Sequence, residues 1–244
     1  MKTTSIKDIL LLGFIVLSFS YCSDPINQKV VYSENENPET LELKQDSTMV
    51  KIADVPIYID STQYLIHPIG EYKIYRGRGS SFYGYSKYGT GSFSSSSFND
   101  NDEIDGTLNN LKFQHINSEK LVPLTSKNIR IKHISFLRTI FNNTKKKVLV
   151  YRVLDQDTNQ DGMLNYFDVE SLYMSNVDGS EFKKITPNLQ ELIDWKILKV
   201  NNKMYLRSIE DTNKNGEFDK DDKMHYWYID FNLTDPQVIE YNPV

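Results

Sequence analysis

The sequence predicts a mainly β protein built from about three antiparallel strand meanders, and three observations carry that prediction. Apolar residues come in short runs rich in Val, Ile, Tyr and Leu, such as Val148-Leu149-Val150-Tyr151, Leu172-Tyr173-Met174, Met204-Tyr205-Leu206 and Tyr226-Trp227-Tyr228-Ile229. Asn, Asp, Gly, Lys or Pro bound each run, which is the texture of strand and turn. Residue pairs recur at one interval: Asp157 and Asp211, Gly162 and Gly216, Asp168 and Asp222 each stand 54 positions apart. Stretches suited to helix, such as 189–193, are few and brief.

The elements follow in chain order. Lys2 and Lys7 precede an apolar run over 9–19 that ends at Ser20-Tyr21-Cys22. A basic start, a short apolar segment and a small-residue exit predict a secretory signal over 1–21, too short to span a bilayer well. Cys22 is the only cysteine in the chain. Its place at the exit resembles a bacterial lipoprotein signal, of the looser kind found in Bacteroidetes lipoproteins, since Tyr21 stands where a small residue is usual. The resemblance implies lipidation of Cys22 and a membrane link through its acyl chains. The location implied is the bacterial cell envelope, on the periplasmic or surface face of the outer membrane. An ordinary signal peptide with a coincidental cysteine is the alternative.

A lone cysteine leaves no disulfide, so stability must come from an apolar core, metal ions, or both. A net charge of −5, with both signs interspersed, supplies no basic stripe and argues against nucleic acid. Residues 22–47 are polar, charged and poor in aromatics, and read as a disordered tether. Residues 48–244 read as a β-repeat domain with units of about 50–126, 130–187 and 188–241. On the 54-residue spacing Tyr151 falls on Tyr205, Tyr173 on Trp227 and Ile185 on Ile239. A fainter copy lies upstream, where the stretch from Phe113 to Leu124-Thr125 matches that from Met174 to Ile185-Thr186. Asp178-Gly179 predicts a hairpin turn, because this pair favours the positive-φ turns that match strand twist. The segment MSNVDGSEFKKITP from Met174 resembles the outer hairpin of TolB-type β-propeller blades. Propeller-blade-like meanders are what that resemblance implies, and three units are too few for a full ring.

Two segments carry chemistry. Loop one, 157–168, offers Asp157, Asn159, Asp161, Asn165 and Asp168; loop two, 211–222, offers Asp211, Asn213, Asn215, Asp219 and Asp222. Oxygen ligands thus stand at positions 1, 3, 5, 9 and 12, with glycine at 6 and an apolar residue at 8. That spacing wraps a chain around one hard cation, and the backbone carbonyls of Met163 and Glu217 at position 7 complete the shell. The pattern predicts two calcium sites, one in a hairpin of each of the last two units. It is EF-hand-like and resembles dockerin calcium loops, which share D-x-N-x-D-G-x-L-N-x-x-D with Asp at position 12. Asn215 replaces the acid at position 5, so loop two is expected to bind more weakly. Asn165-x-x-Asp168 and Asp219-x-x-Asp222 have capping-box spacing. Strand patterns follow each loop, so a sensor's paired helices are not expected and the role predicted for calcium is structural.

Other signals are weaker. The insert 77–106 mixes Tyr, Phe, Ser and Gly, reading as a low-complexity loop that could stack on glycan or peptide. Residues 101–106 echo a calcium loop, but Ile104 interrupts it and Lys112 falls at position 12. His67, His115, His133 and His225 lack metal-ligand spacing. No serine elbow or acid–base pair emerges, so no catalytic residue is assigned. The sequence resembles Bacteroidetes lipoproteins of unknown task. The expectation is a non-enzymatic binding or structural protein with an unidentified protein or glycan partner. A hydrolase or accessory protein of polysaccharide metabolism is the alternative.

Overall fold

The computed structural model describes residues 28–32, 49–73, 97–99 and 102–244. The expected signal segment 1–21, Cys22 with its lipidation, most of the tether and the aromatic part of the insert lie outside them.

The fold is mainly β and antiparallel, with three sheets among the described residues. The first joins β1 (Met49–Ala53), β3 (Tyr64–Lys73), β6 (Asn110–His115) and β7 (Leu121–Pro123), with β2 (Ile57–Tyr58) also paired to β3. The second runs β11 (Lys183–Lys184), β10 (Glu170–Asn176), β9 (Val148–Leu154), β8 (Arg130–Phe136), β5 (Glu103–Leu108) and β4 (Ser97–Phe98). The third is a plain meander of β12 (Gln190–Leu198), β13 (Lys203–Glu210), β14 (Lys223–Asp230) and β15 (Val238–Tyr241). Among the described residues one helix, α1 (Arg138–Thr144), connects β8 to β9 and ends at Lys145 in the left-handed conformation. β4 and β5 lie within the stretch 50–126 yet belong to the second sheet, so the strands of that stretch are shared between two sheets.

Burial arranges the sheets in a stack with two cores. Leu111, Phe113 and Leu124 of the first sheet's hairpin meet Ile131, Ile134, Leu149, Tyr151 and Tyr173 of the second. The opposite face of the second sheet turns Val150, Leu172, Met174 and Ile185 onto Leu192, Met204, Leu206 and Ile229 of the third, with Leu137 and Ile140 closing one end. Alternation along each strand makes this possible, since successive side chains serve opposite faces.

The hairpins explain why the stack runs in one sense. Phe113 pairs with Val122, and Met174 pairs with Lys183, nine positions apart in both cases. The Leu124 amide donates to the Leu111 carbonyl at 2.9 Å, and the Ile185 amide donates to the Leu172 carbonyl at 2.7 Å. The two hairpins therefore share one register. The face of the first sheet carrying Leu111, Phe113 and Leu124 is covered by the second; the matching face of the second, Leu172, Met174 and Ile185, is covered by the third. The corresponding face of the third sheet carries Tyr205, Tyr226, Tyr228 and Tyr241, whose rings pack on one another.

Two of the pairings expected from the 54-residue spacing are corrected. Tyr151 lies opposite Tyr173, but Trp227 lies opposite Leu206, not Tyr205. Tyr151 is fully buried, whereas Tyr205 sits half-buried on the tyrosine face. The cause is a strand one residue closer to its loop: five positions separate Leu206 from Asp211, against six from Tyr151 to Asp157. A one-residue slip moves a side chain to the other face of the sheet. Likewise Tyr226 pairs with Tyr241, so Tyr241 and not Ile239 takes the place of Ile185.

Candidate metal centre

Each predicted loop joins two neighbouring strands, loop one between β9 and β10 and loop two between β13 and β14. Both follow one backbone path. The residue at position 4 has positive φ in each, Gln160 at 59° and Lys214 at 57°, and the glycine at position 6 follows at 84° for Gly162 and 83° for Gly216. Two left-handed residues so close together give a tight coil, and glycine takes that conformation without the Cβ penalty.

The side chains turn inward onto this coil in the same way twice. In loop one, Asp157 Oδ1 accepts the Asp161 amide at 3.1 Å and its Oδ2 accepts the Gly162 amide at 2.7 Å. In loop two, Asp211 Oδ1 accepts the Asn215 amide at 3.2 Å and its Oδ2 the Gly216 amide at 2.7 Å. Asn159 and Asn213 at position 3 each accept the amide of position 5, and Asp161 and Asn215 at position 5 each accept the amide of position 7. Asp168 Oδ2 accepts the Asn165 amide while Asn165 Oδ1 accepts that of Phe167; Asp222 and Asp219 do the same with Asp219 and Asp221. All ten side-chain positions named from the sequence are thus gathered into two coils of equal design. The position-7 residues differ, Met163 being exposed and Glu217 half-buried.

The two coils differ in surroundings. Asp168 is fully buried and accepts the Thr158 amide at 2.8 Å, and burial pushes its carboxyl above the ordinary value against these hydrogen bonds. Asp222 is half-buried and accepts the Thr212 amide at 3.1 Å. Asn159 and Asn165 both direct an amide nitrogen at Asp161 Oδ2, at 3.4 Å and 3.0 Å. Among the described residues, no group of three or more His, Cys, Asp or Glu side chains is gathered so that it could hold a metal ion on its own. The carboxylates of each coil are few and are already engaged by main-chain amides.

A third segment sits on both coils, and the sequence did not reveal it. Residues 28–32 fall in the stretch expected to be disordered tether, yet Val30 is 2 % exposed and its neighbours bond to both loops. The expectation is revised for these five residues. Neither their composition nor their spacing marked them; Val30-Val31-Tyr32, the one apolar triplet in the stretch, was the available signal.

Other charged groups surround the coils. Glu170, two positions beyond Asp168, pairs with Lys132 and Arg152 and is nearly buried. His225 lies between Glu210 and Glu240, each 2.7 Å from one ring nitrogen, and stacks on Trp227. The faint calcium echo at 101–112 is mostly strand: β5 and β6 occupy it, and Asp102 is held by Arg138 at 2.6 Å. On the tyrosine face a shallow groove of about 260 Å³ is lined by Asp194, Lys196, Tyr205, Arg207, Tyr226 and Tyr241. Its carboxylate, Asp194, is gripped by Arg207 through two bonds of 2.8 Å and 2.5 Å, which holds Asp194 below the usual carboxylate range.

No protein-family model, no curated protein and no solved structure matches this chain.

Proposed function

We propose that this chain is a calcium-stabilised, non-enzymatic β-repeat protein that works outside the cytoplasm, lipid-anchored at Cys22 in a bacterial envelope. The observation that carries the calcium reading is the duplicated coil. Two loops 54 positions apart adopt the same φ pattern and the same set of Asx bonds, down to the 2.7 Å bond from the position-6 amide to the position-1 carboxylate. The donor set is all hard oxygen, which suits calcium over soft or borderline metals. Carboxylates alone are too few, so an ion in loop one would draw on Asp157, Asn159, Asp161, Asn165 and Asp168 together with the Met163 carbonyl. Loop two would use Asp211, Asn213, Asn215, Asp219 and Asp222 with the Glu217 carbonyl. Bound calcium would neutralise the charge of each coil and clasp two adjacent strands. Calcium sensors instead open a groove between paired helices; here each coil leads directly into a strand.

The same-sense stacking of hairpins supports reading the sheets as propeller-blade-like repeats, with the tyrosine face as the end of the stack. A protein or glycan partner would find there four aromatic rings beside Arg207 and Lys196, a surface suited to stacking and hydrogen bonding. The hydrolase reading needs two carboxylates facing each other across a cleft. The groove on the tyrosine face has one, and it is paired.

A thermal melt in calcium and then in chelator tests the reading. Calcium should raise the transition temperature of the parent protein, and Asp157→Ala with Asp211→Ala together should remove the shift. An identical melt in both buffers would sink it.

A further inference from the structure

We infer that residues 28–32 are a strap that fastens the two loops into one unit, so that they loosen and, on the calcium reading above, fill together. The strap touches both coils through main-chain groups. The amides of Lys29 and Val30 donate to the Gly216 carbonyl of loop two at 2.8 Å and 3.2 Å. One residue further on, the Val31 amide donates to the Thr158 carbonyl of loop one at 2.8 Å. Thr158 returns its hydroxyl to the Lys29 carbonyl at 2.6 Å. Gln28 Nε2 reaches the Asn215 carbonyl at 2.8 Å, and Gln160 Nε2 reaches the Val31 carbonyl at 3.1 Å. A five-residue segment is thus bonded alternately to two loops that are far apart in sequence.

Packing and charge hold the segment down. Val30 is buried between its bonded neighbours, and Lys29 forms an ion pair of 2.5 Å with Glu191 of the third sheet. The fit at loop two is close: a Cβ on residue 216 would stand 2.3 Å from the Val30 carbonyl and 3.1 Å from the Gln28 side chain. Gly216 therefore has two duties, its positive φ within the coil and its bare surface beneath the strap.

The strap also reaches the predicted ligands. Tyr32, at the end of the strap, lies near Asp211, the first residue of loop two; burial first and that carboxylate's charge second push the phenol up to about 12. On the other side Thr158 links Lys29 to Asp168, since its amide donates to Asp168 while its hydroxyl holds the strap. Position 6 of loop two and position 12 of loop one are therefore joined through this segment. Thr158 is a positioning residue. Any change that frees one coil from the strap removes bonds that the other coil needs.

The test uses the full chain with Val30→Asp, which puts a charge in the buried seat, beside Val31→Asp, where the side chain is already 37 % exposed. Hydrogen exchange is followed at the amides of Asp161, Gly162, Asn215 and Gly216, with β9 and β13 as the folded reference. If Val30→Asp exposes that reference, Val30→Ala replaces it. The expected result is faster exchange at all four loop amides, tenfold or more, with parent behaviour in Val31→Asp. Acceleration in one loop alone, or in neither, overturns the strap.

Calorimetric titration with calcium adds the second arm. Asp157→Ala should weaken calcium binding at loop two several-fold in the parent, and have no such effect when Val30→Asp is also present. Equal loop-two affinity in all these proteins overturns the coupling and leaves calcium binding intact. Linked exchange with no calcium uptake by any protein overturns the calcium reading and leaves the strap.

Discussion

The Thr158 hydroxyl donates to the Lys29 carbonyl at 2.6 Å and accepts the Val169 amide at 2.9 Å, so one buried oxygen joins the N-terminal segment, loop one and the start of β10. Its counterpart in loop two, Thr212, is exposed. Thr158→Val keeps the shape and removes the oxygen, leaving a buried amide without its acceptor. That costs about 1–3 kcal/mol. Thr212→Val should stay within about 0.5 kcal/mol, as surface changes do. Urea unfolding of the two variants makes the comparison, and equal losses would contradict the asymmetry.

On the calcium reading, the two loops should not bind alike. Each loop has three acids at the ligand positions, at 1, 5 and 12 in loop one and at 1, 9 and 12 in loop two, which has Asn215 at the inner position 5 and an exposed Asn213. Asn215→Asp should tighten loop two, and Asp161→Asn should weaken loop one. The melting shift follows by mass action: about 2.7 kcal/mol for a site held at 100 times its dissociation constant. Calcium titrations of both variants read the order of affinities directly.

Glu191 gives the fold a pH signature. Burial raises its carboxyl above 4.5, and the bond and charge of Lys29 offset this only in part. A carboxyl whose folded value lies above its unfolded value favours the fold most when protonated. Its contribution is therefore full below about pH 4.5 and declines as pH rises through the higher folded value. Glu191→Gln should remove that decline, flattening stability against pH in this window. Lys29→Met should raise the Glu191 value further, which carboxyl NMR titration would register.

Gly179 tests the hairpin that locks the first two sheets. It has φ of 81°, and a Cβ there would lie 2.5 Å from the Phe113 ring. Gly179→Ala meets both the left-handed penalty and an overpacked core, together roughly 2–4 kcal/mol. Pairing it with Phe113→Leu should recover part of the loss, because the smaller side chain relieves the contact but not the backbone strain. A double-mutant cycle on unfolding free energies separates the two terms.

Much of this architecture was legible along the chain because it is local. Short apolar runs bounded by turn residues marked β9, β10, β13 and β14, and Asp178-Gly179 marked a turn that the structure places at Gly179 with positive φ. The coils were legible for the same reason: the residues of each lie within twelve consecutive positions, so spacing alone described their folding back. Register was not. Tyr151 and Tyr205 looked equivalent, but one missing residue before loop two turned the second tyrosine to the opposite face, a consequence visible only in the pairing with Trp227 and Tyr228.

By itself, then, the sequence determined the strand character, the hairpin turns and the two oxygen-lined coils, all of which arise from the chemistry of neighbouring residues. Only the tertiary structure decided that the sheets stack in one sense, that the last one ends in tyrosines, and that residues 28–32 bridge the loops. The stacking and the tyrosine face depend on the pairing of separate strands, and the bridge on contacts over more than a hundred residues, where three amides find two carbonyls that no local pattern announces.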